Sequence, residues 1–324
     1  MINAIRVHQT GGPDVMHYEQ VEIGEPGPGE ARVRHEAIGL NFIDVYFRTG
    51  IYKAATMPFT PGNEAAGIVV AVGDGVEHVH VGDRVAYVAT PGSYAEERIV
   101  PADRLVKVPD GIDLKTAAGM MLKGMTAQYL LRRTFKVEPG HTILFHAAAG
   151  GVGLIAGQWA KHLGATVIGT AGSEEKIALA KSHGYDHVIN YRSEDFVERV
   201  RELTNGEGVD VVYDSVGRDT YMGSLDVLKP LGMLACFGQS SGLIPPFDLG
   251  LLAQKGSLFI TRPTLFNYVA KRADLEKTAN DLFRVVESGV VKIEINQSYA
   301  LKDVRKAHED LEARRTTGTT ILLP

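Results

Sequence analysis

From His141 onward the chain alternates short apolar strands with helices: HTILFHA, VGLIAGQWAKHLG, ATVIGT, SEEKIALAKSHG, HVINY, SEDFVERVRELTN and VDVVYDSV, with LACFG after a further helical segment. No other feature restricts the fold as strongly. Strands that are apolar without alternation are buried on both faces, so helices between them predict a parallel sheet covered on both sides. Gly164 and Gly184 stand where two of the helices close and the chain turns into the next strand. The first hundred residues differ. INAIRVHQ, ARVRHEAIGL, AAGIVVAVG, DRVAYVA and YAEERIV are short β-rich runs separated by GGPD, EPGPGE and VGDGVEHVHVGD, which predicts a compact, largely antiparallel barrel-like domain. Helical spacing begins near Thr116, and after Pro263 a helix, a strand, a helix and the strand TTILLP follow. That tail is too short to fold alone and is expected to return to the first domain. The fold class is therefore α/β, with a mainly β domain at 1–122 completed by 263–324 and a doubly wound domain at 123–262.

Between the first strand of the alternating region and its helix lies FHAAAGGVG, which contains Ala148-x-Gly150-x-x-Gly153. Small residues there let the backbone approach a pyrophosphate, and the N–H groups and dipole of the helix start favour its charge. This is the dinucleotide fingerprint with alanine at the first glycine. A glycine turn by itself is equally a packing device; the strand before it and the helix after it favour the binding reading. An NAD site would place Asp or Glu at the end of ATVIGT to bind the ribose hydroxyls. Here the chain reads Thr170-Ala171-Gly172-Ser173, with Lys176 one turn into the helix. A hydroxyl and an ammonium attract a 2′-phosphate that a carboxylate would repel, so the expected cofactor is NADP(H). Glu174 and Glu175 run against this, although acidic residues are also common in a helix's first turn.

Composition narrows the function classes. Apolar residues form 44% and charged ones 23% of the 324 residues, which leaves little room for long disorder. The net charge of -5 is spread without a basic block, so a polyanion partner is not indicated, and no apolar run approaches membrane-spanning length, so no membrane partner is expected. The chain opens as a strand without the pattern of a secretory leader. Cys236 is the sole cysteine, which suits a reducing cytoplasm and leaves no thiolate cluster for zinc.

HAAAGGVG, RVHQTGGPDVM, AIGLNFIDVYFRTGIY, PGNEAAG, VGDRVAY, MLKGMTAQYLL, VVYDSVG, LACFGQSSG, ITRPTL and ARRTTGTTILLP together resemble the quinone oxidoreductase, or zeta-crystallin-like, branch of the medium-chain dehydrogenase/reductase superfamily. The resemblance spans the whole chain. It implies a GroES-like catalytic domain, a Rossmann domain, a cofactor in the cleft between them and a homodimer joined through the cofactor domains. It also implies cofactor contacts at Asn41, Tyr46, Thr126, Gly150, Gly151, Val152, Gly153, Ser173, Lys176, Tyr191, Ser215, Phe237, Gly238 and Arg314, with Arg315 an alternative to Arg314. Asn41, Tyr46 and Tyr52 are the residues it places near the nicotinamide or the substrate; packing is the competing role for both tyrosines.

In the zinc alcohol dehydrogenases of that superfamily a Gly-His-Glu motif and an upstream cysteine hold the metal; the matching positions here resemble Asn63 and Asn41. MMLKGMT lacks the third cysteine, and the four-cysteine structural zinc lobe is missing. Amides bind Zn(II) poorly, so no metal is expected and Glu64 is read as a buried structural carboxylate. Without a Lewis acid the substrate must itself accept reducing equivalents readily, as a quinone does; the protein then supplies orientation and hydrogen bonds. The expectation is an NADPH-dependent, zinc-independent cytoplasmic quinone reductase. Two alternatives stand beside it: a reductase of activated double bonds in enones or enals, and a non-enzymatic NADPH-binding crystallin or RNA-associated protein, the last disfavoured by the acidic balance.

Overall fold

The computed structural model describes residues 1–324. The chain forms two compact units. The first comprises Met1–Met125, Lys271–Glu287 and Ile293–Pro324, the second Thr126–Ala270 and Ser288–Lys292. The polypeptide passes from one to the other within the helix Leu114–Tyr129.

In the first unit the long strand Glu30–Leu40 organises the sheet. Glu64–Val72 pairs antiparallel along one edge, and Glu97–Pro101 and Thr319–Leu323 share the other, at opposite ends. Register shifts between Arg32 and Val33 and between His35 and Ala37 bend the strand so that it can serve both. The bend brings backbones very close at Gly67, where a Cβ would lie 1.9 Å from the Arg34 carbonyl oxygen. Arg84–Val88 and Leu105–Lys107 extend the sheet on one side and Ile295–Ala300 on the other. Ile295–Ala300 and Thr319–Leu323 run parallel, the one departure from antiparallel pairing in this sheet, because the helix Val304–Glu312 crosses over between them. Ile5, Val33, Ile38, Tyr87, Leu105 and Leu322 belong to the core these strands enclose.

The second unit is a six-stranded parallel sheet. Its order across the sheet is His187–Asn190, Thr166–Ala171, Thr142–Phe145, Val209–Asp214, Leu228–Cys236 and Phe259–Thr261, or 3-2-1-4-5-6 in chain order. This is the doubly wound dinucleotide-binding topology, whose order reverses between Thr142–Phe145 and Val209–Asp214. Helices Gly151–His162, Glu174–Lys181, Phe196–Leu203 and Tyr221–Asp226 connect the strands. Leu144, Ile168, Ile189, Val212 and Leu234 fill a buried layer of the sheet. A turn of π-helix at Leu130–Thr134 follows Leu114–Tyr129, and the buried Tyr213 hydroxyl donates to the Leu130 carbonyl at 3.2 Å. No helix is long and apolar enough to cross a membrane.

Candidate active site

The sheet mouth of the second unit is built around the glycine turn. Strand Thr142–Phe145 ends, Ala147 takes a left-handed conformation (φ 56°), and the helix begins at Gly151 with Gly150 as its N-cap. A Cβ on Gly153 would lie 2.5 Å from both the Ala147 and Ala148 carbonyl oxygens, so this position admits glycine alone. The N–H groups of Gly151, Val152 and Gly153 fall in the first turn, where a helix has no internal acceptors for them. N–H groups so placed are able to donate to an anion at the helix start.

At the next strand end, Ser173 caps the helix Glu174–Lys181, its Oγ accepting from the Lys176 N–H at 3.3 Å. The Ser173 O–H remains able to donate, and Lys176 lies in the same first turn. Glu174 is engaged by the neighbouring strand: its Oε1 accepts from Asn190 Nδ2 at 3.0 Å. One of the two acidic residues that weigh against a phosphate site thus has a partner on the neighbouring strand, while Glu175 stays in the same first turn. Tyr191 is 41% exposed, and its hydroxyl lies 2.5 Å from where a Cβ on Gly172 would stand. Gly172, Ser173 and Tyr191 therefore share one patch.

Beyond the switch in strand order, Asp214 ends its strand fully buried. Its Oδ1 accepts from the Val216 and Gly217 N–H groups at 2.7 and 3.0 Å, and its Oδ2 from Thr220 Oγ1 at 2.7 Å and Ser224 Oγ at 3.1 Å. This fixes the loop that carries Ser215. A Cβ on Gly238 would meet the Ser215 carbonyl oxygen at 2.6 Å, so the Phe237–Gly238 segment lies directly against that loop. Phe237 packs on Phe145 with ring centroids 5.5 Å apart. Thr126 is buried at the start of the unit. Gly150–Gly153, Ser173, Lys176, Ser215, Phe237 and Gly238 are thus gathered at strand ends on the C-terminal side of one sheet. Asp214 is legible in the sequence only as an acidic strand end in VVYDSVG; it holds the Ser215 loop through Val216 and Gly217 and is itself braced by Thr220 and Ser224.

In the first unit, Asn41 precedes the helix Phe42–Thr49 and forms a capping box with Asp44, whose Oδ2 accepts from the Asn41 N–H at 2.9 Å. The Asn41 carboxamide donates to Glu64 Oε1 at 2.7 Å and, at 3.5 Å, to the Gly39 carbonyl. Both of its N–H bonds are therefore directed into the protein. Glu64 also accepts from Lys123 Nζ at 2.8 Å and the Leu122 N–H at 2.6 Å, and is wholly buried. Tyr46 and Tyr52 meet edge to face with centroids 5.3 Å apart, flanked by Phe42 and Phe47. The Tyr52 N–H donates to the Tyr46 carbonyl at 2.9 Å, which closes the loop after the helix and keeps the two rings together.

Behind this helix runs a buried chain of polar groups. Tyr94 donates to Asp44 Oδ2 at 2.8 Å and meets His308 Nε2 at 3.1 Å; Arg48 donates to His308 Nδ1 at 3.1 Å and to Glu312 at 2.8 and 2.9 Å. Because Arg48 only donates, His308 carries its proton on Nε2. Burial, reinforced by Arg48, pulls the His308 imidazolium down to about 3, so the ring is neutral. An arginine does not release its proton, so the chain clamps the helix and is no proton route to Glu312. Burial pushes Asp44 up to about 7 against these hydrogen bonds, and its Oδ1 is buried without a partner.

The same residues test the fit of a zinc ion. Asn63 donates from Nδ2 to the Ala89 carbonyl at 2.9 Å and keeps a buried Oδ1 without a partner. Asn41 faces Glu64 with N–H groups, and the Lys123 ammonium already stands against that carboxylate. Burial first, and Asp214 second, push the Cys236 thiol up to about 12. Two amides and an ammonium are a poor donor set for Zn(II), and the site does not fit one.

The two adjacent arginines near the C-terminus are both exposed; Arg315 is bound to Asp310 at 2.6 Å, and Arg314 has a left-handed backbone (φ 58°).

Comparison with known proteins agrees with both units. Residues 27–110 match the alcohol dehydrogenase GroES-like domain, and residues 151–280 match the zinc-binding dehydrogenase family. A quinone oxidoreductase of Pseudomonas aeruginosa is 52% identical, covering 100% of both chains. A 2-haloacrylate reductase of a Burkholderia species is 48% identical over 100% of this chain and 99% of the relative. The crystal structure of Escherichia coli quinone oxidoreductase complexed with NADPH superposes with a TM-score of 0.98 at 47% identity, covering 99% of this chain and 100% of the other. The sequence, the paired folds and these full-length likenesses place the chain in the quinone oxidoreductase family of the medium-chain dehydrogenase/reductase superfamily.

Proposed function

We propose that this protein is an NADPH-dependent quinone reductase that works without a metal ion. The observation that carries the reading is the strand end at 170–173, which offers no carboxylate where the ribose would lie and leads into Ser173 and Lys176 at the next helix start, together with the first-turn N–H groups of Gly151, Val152 and Gly153. It is supported by 47% identity to a quinone oxidoreductase solved with NADPH. The first-turn N–H groups would hold the pyrophosphate, and Ser173 and Lys176 the 2′-phosphate. Tyr191 would border the adenine, with Thr126, Ser215, Phe237 and Gly238 along the nicotinamide half and Arg314 reaching the adenosine phosphate. When bound, NADPH supplies the reducing equivalents.

On the substrate side, Tyr46 and Tyr52 offer a rigid aromatic surface for a flat ring, with hydroxyls able to donate to an oxygen that gains negative charge. Asn41 contributes to position: its N–H groups serve Glu64 and Gly39, and its backbone N–H fixes Asp44 at the helix start. A quinone requires no more activation than this, because reduction makes its ring aromatic. A second reading, reduction of an activated carbon–carbon double bond, is favoured by the 48% identity to a 2-haloacrylate reductase. A relative kcat/KM for simple quinones and for enones, measured with NADPH and NADH, tests the reading; no quinone turnover, or equal use of both coenzymes, would count against it.

The edge strand Phe259–Thr261 pairs on one side only, and Phe259 is 57% exposed. Together with the family resemblance this supports a homodimer formed through the cofactor unit, and the lone buried cysteine suits a reducing cytoplasm. Sedimentation analysis would register the dimer.

A further inference from the structure

A buried imidazole spans the C-terminal mouth of the parallel sheet. His146 follows strand Thr142–Phe145; its Nδ1 lies 3.0 Å from Thr170 Oγ1 and its Nε2 3.0 Å from Ser224 Oγ. His146, Thr170, Ser224 and Asp214 are all at least 98% buried. The direction of each bond follows from Asp214. A carboxylate accepts only, so Ser224 gives its O–H to Asp214 Oδ2 and must accept from His146 Nε2. Nδ1 is then bare and takes the Thr170 O–H. The chain runs in one sense, from Thr170 through His146 and Ser224 to Asp214, and it locks the ring in one neutral tautomer. Burial, which lowers the affinity of this imidazole for a second proton, acts in the same direction against the opposing pull of Asp214.

Each end of the chain is tied to a loop. Thr170 stands immediately before Ala171, Gly172 and Ser173, and its carbonyl accepts from the Ala148 N–H of the glycine turn at 2.9 Å. Asp214 holds Val216 and Gly217. Phe196 closes the ring's remaining side, edge to face, with centroids 5.0 Å apart. An apolar side chain at this position would take the acceptor from the buried Thr170 hydroxyl, whereas Ser224 would keep its bond to Asp214 and lose only a donor. The two loops would then lose their common reference.

We propose that His146 is a positioning residue for coenzyme choice: it sets the Ala171–Ser173 corner against the Ser215–Gly217 loop, so that preference for NADPH over NADH depends on an imidazole that touches neither. The proposal rests on the reading of Ser173 and Lys176 as the 2′-phosphate corner. It goes further in assigning their placement to a residue on a different strand. Displacement of that corner weakens contacts that only NADPH makes, whereas the pyrophosphate turn, which serves both coenzymes, is tied to Thr170 by a backbone bond from Ala148 and closed by the Gly150 N–H to Ala147 carbonyl bond, both of which side-chain changes at His146 and Thr170 leave in place.

The test is fluorescence titration of the full-length protein with NADPH and with NADH, giving two dissociation constants for each variant, with thermal melting as the check on folding. Thr170→Val is isosteric and removes one donor; His146→Leu removes the whole link; His146→Gln retains an acceptor and a donor. Thr170→Val and His146→Leu are expected to weaken NADPH binding about fivefold or more while changing NADH binding less than about twofold, the scale of one hydrogen bond, and His146→Gln to restore most of the difference. Folded variants that bind both coenzymes like the unaltered protein, or lose both in equal measure, overturn the proposal. Should His146→Leu fail to fold, Thr170→Val decides the question by the same ratio. An unaltered protein without preference for NADPH overturns the phosphate corner and this proposal together, and that result precedes any substitution.

Discussion

Lys123 Nζ lies 2.8 Å from Glu64 Oε1, and both side chains are buried, at 7% and 0% exposure. A carboxylate in that setting would be a ruinous charge without its three donors. Asn41 also donates to this carboxylate, whose charge is balanced by a lysine of the same chain.

Removing one partner leaves the other charge buried. Lys123→Met is expected to destabilise the protein by about 3–5 kcal/mol, and Glu64→Gln by a similar amount, measured by denaturant unfolding. The double variant is expected to be markedly less destabilised than the sum of the two, because neither charge is then stranded.

The pH dependence of stability carries a signature of Asp44. Its pKa rises from 3.8 to about 7 on folding, chiefly through burial. A raised carboxyl pKa favours the folded state while the group is protonated, so this contribution is full below pH 3.8 and is lost as pH rises through about 7. His35 and His308, drawn down from 6.5 to about 4 and about 3, act oppositely and cost stability as pH falls below 6.5. Glu64, Lys123, Tyr94 and Arg48 also face this cluster. The informative quantity is therefore the difference between the unaltered protein and Asp44→Asn, which should change steadily between pH 4 and 7 by an amount on the order of a few kcal/mol. A difference independent of pH would show that Asp44 titrates normally.

Much of this was legible in the sequence, for reasons that differ by residue. The parallel sheet and the turn at Gly150–Gly153 depend on local patterns, apolar strands and small residues at fixed spacing, and both are visible in a single line of text. The family resemblance sets Asn63 and Asn41 at positions that hold zinc in the alcohol dehydrogenases, and that reading too needs only local motifs. What could not be seen were partners far away in sequence: Lys123 reaching Glu64, His308 and Glu312 returning to Arg48, and His146 joining Thr170 to Ser224. The parallel pairing of Ile295–Ala300 with Thr319–Leu323 was hidden for the same reason, since strand direction is set by the crossover helix and not by the strand residues.

Lys176→Glu reverses the charge in the corner that would hold the 2′-phosphate. KM for NADPH is expected to rise at least about tenfold while that for NADH changes little, because only one coenzyme carries the extra phosphate. Equal effects in steady-state assays would remove Lys176 from the site.

Tyr52→Phe keeps the edge-to-face contact with Tyr46, 5.3 Å between centroids, and removes one hydroxyl. A fall of about five- to tenfold in kcat/KM for quinone, with KM for NADPH unaltered, is the expected result if that hydroxyl donates to the substrate oxygen. No change would assign the ring to packing alone.

The most direct measurement of the central claim is NADPH-driven quinone turnover by protein dialysed against a strong chelator, before and after addition of Zn(II). Full activity after dialysis, with no gain on adding zinc, is the predicted result; activity that disappears on dialysis and returns with zinc would contradict it.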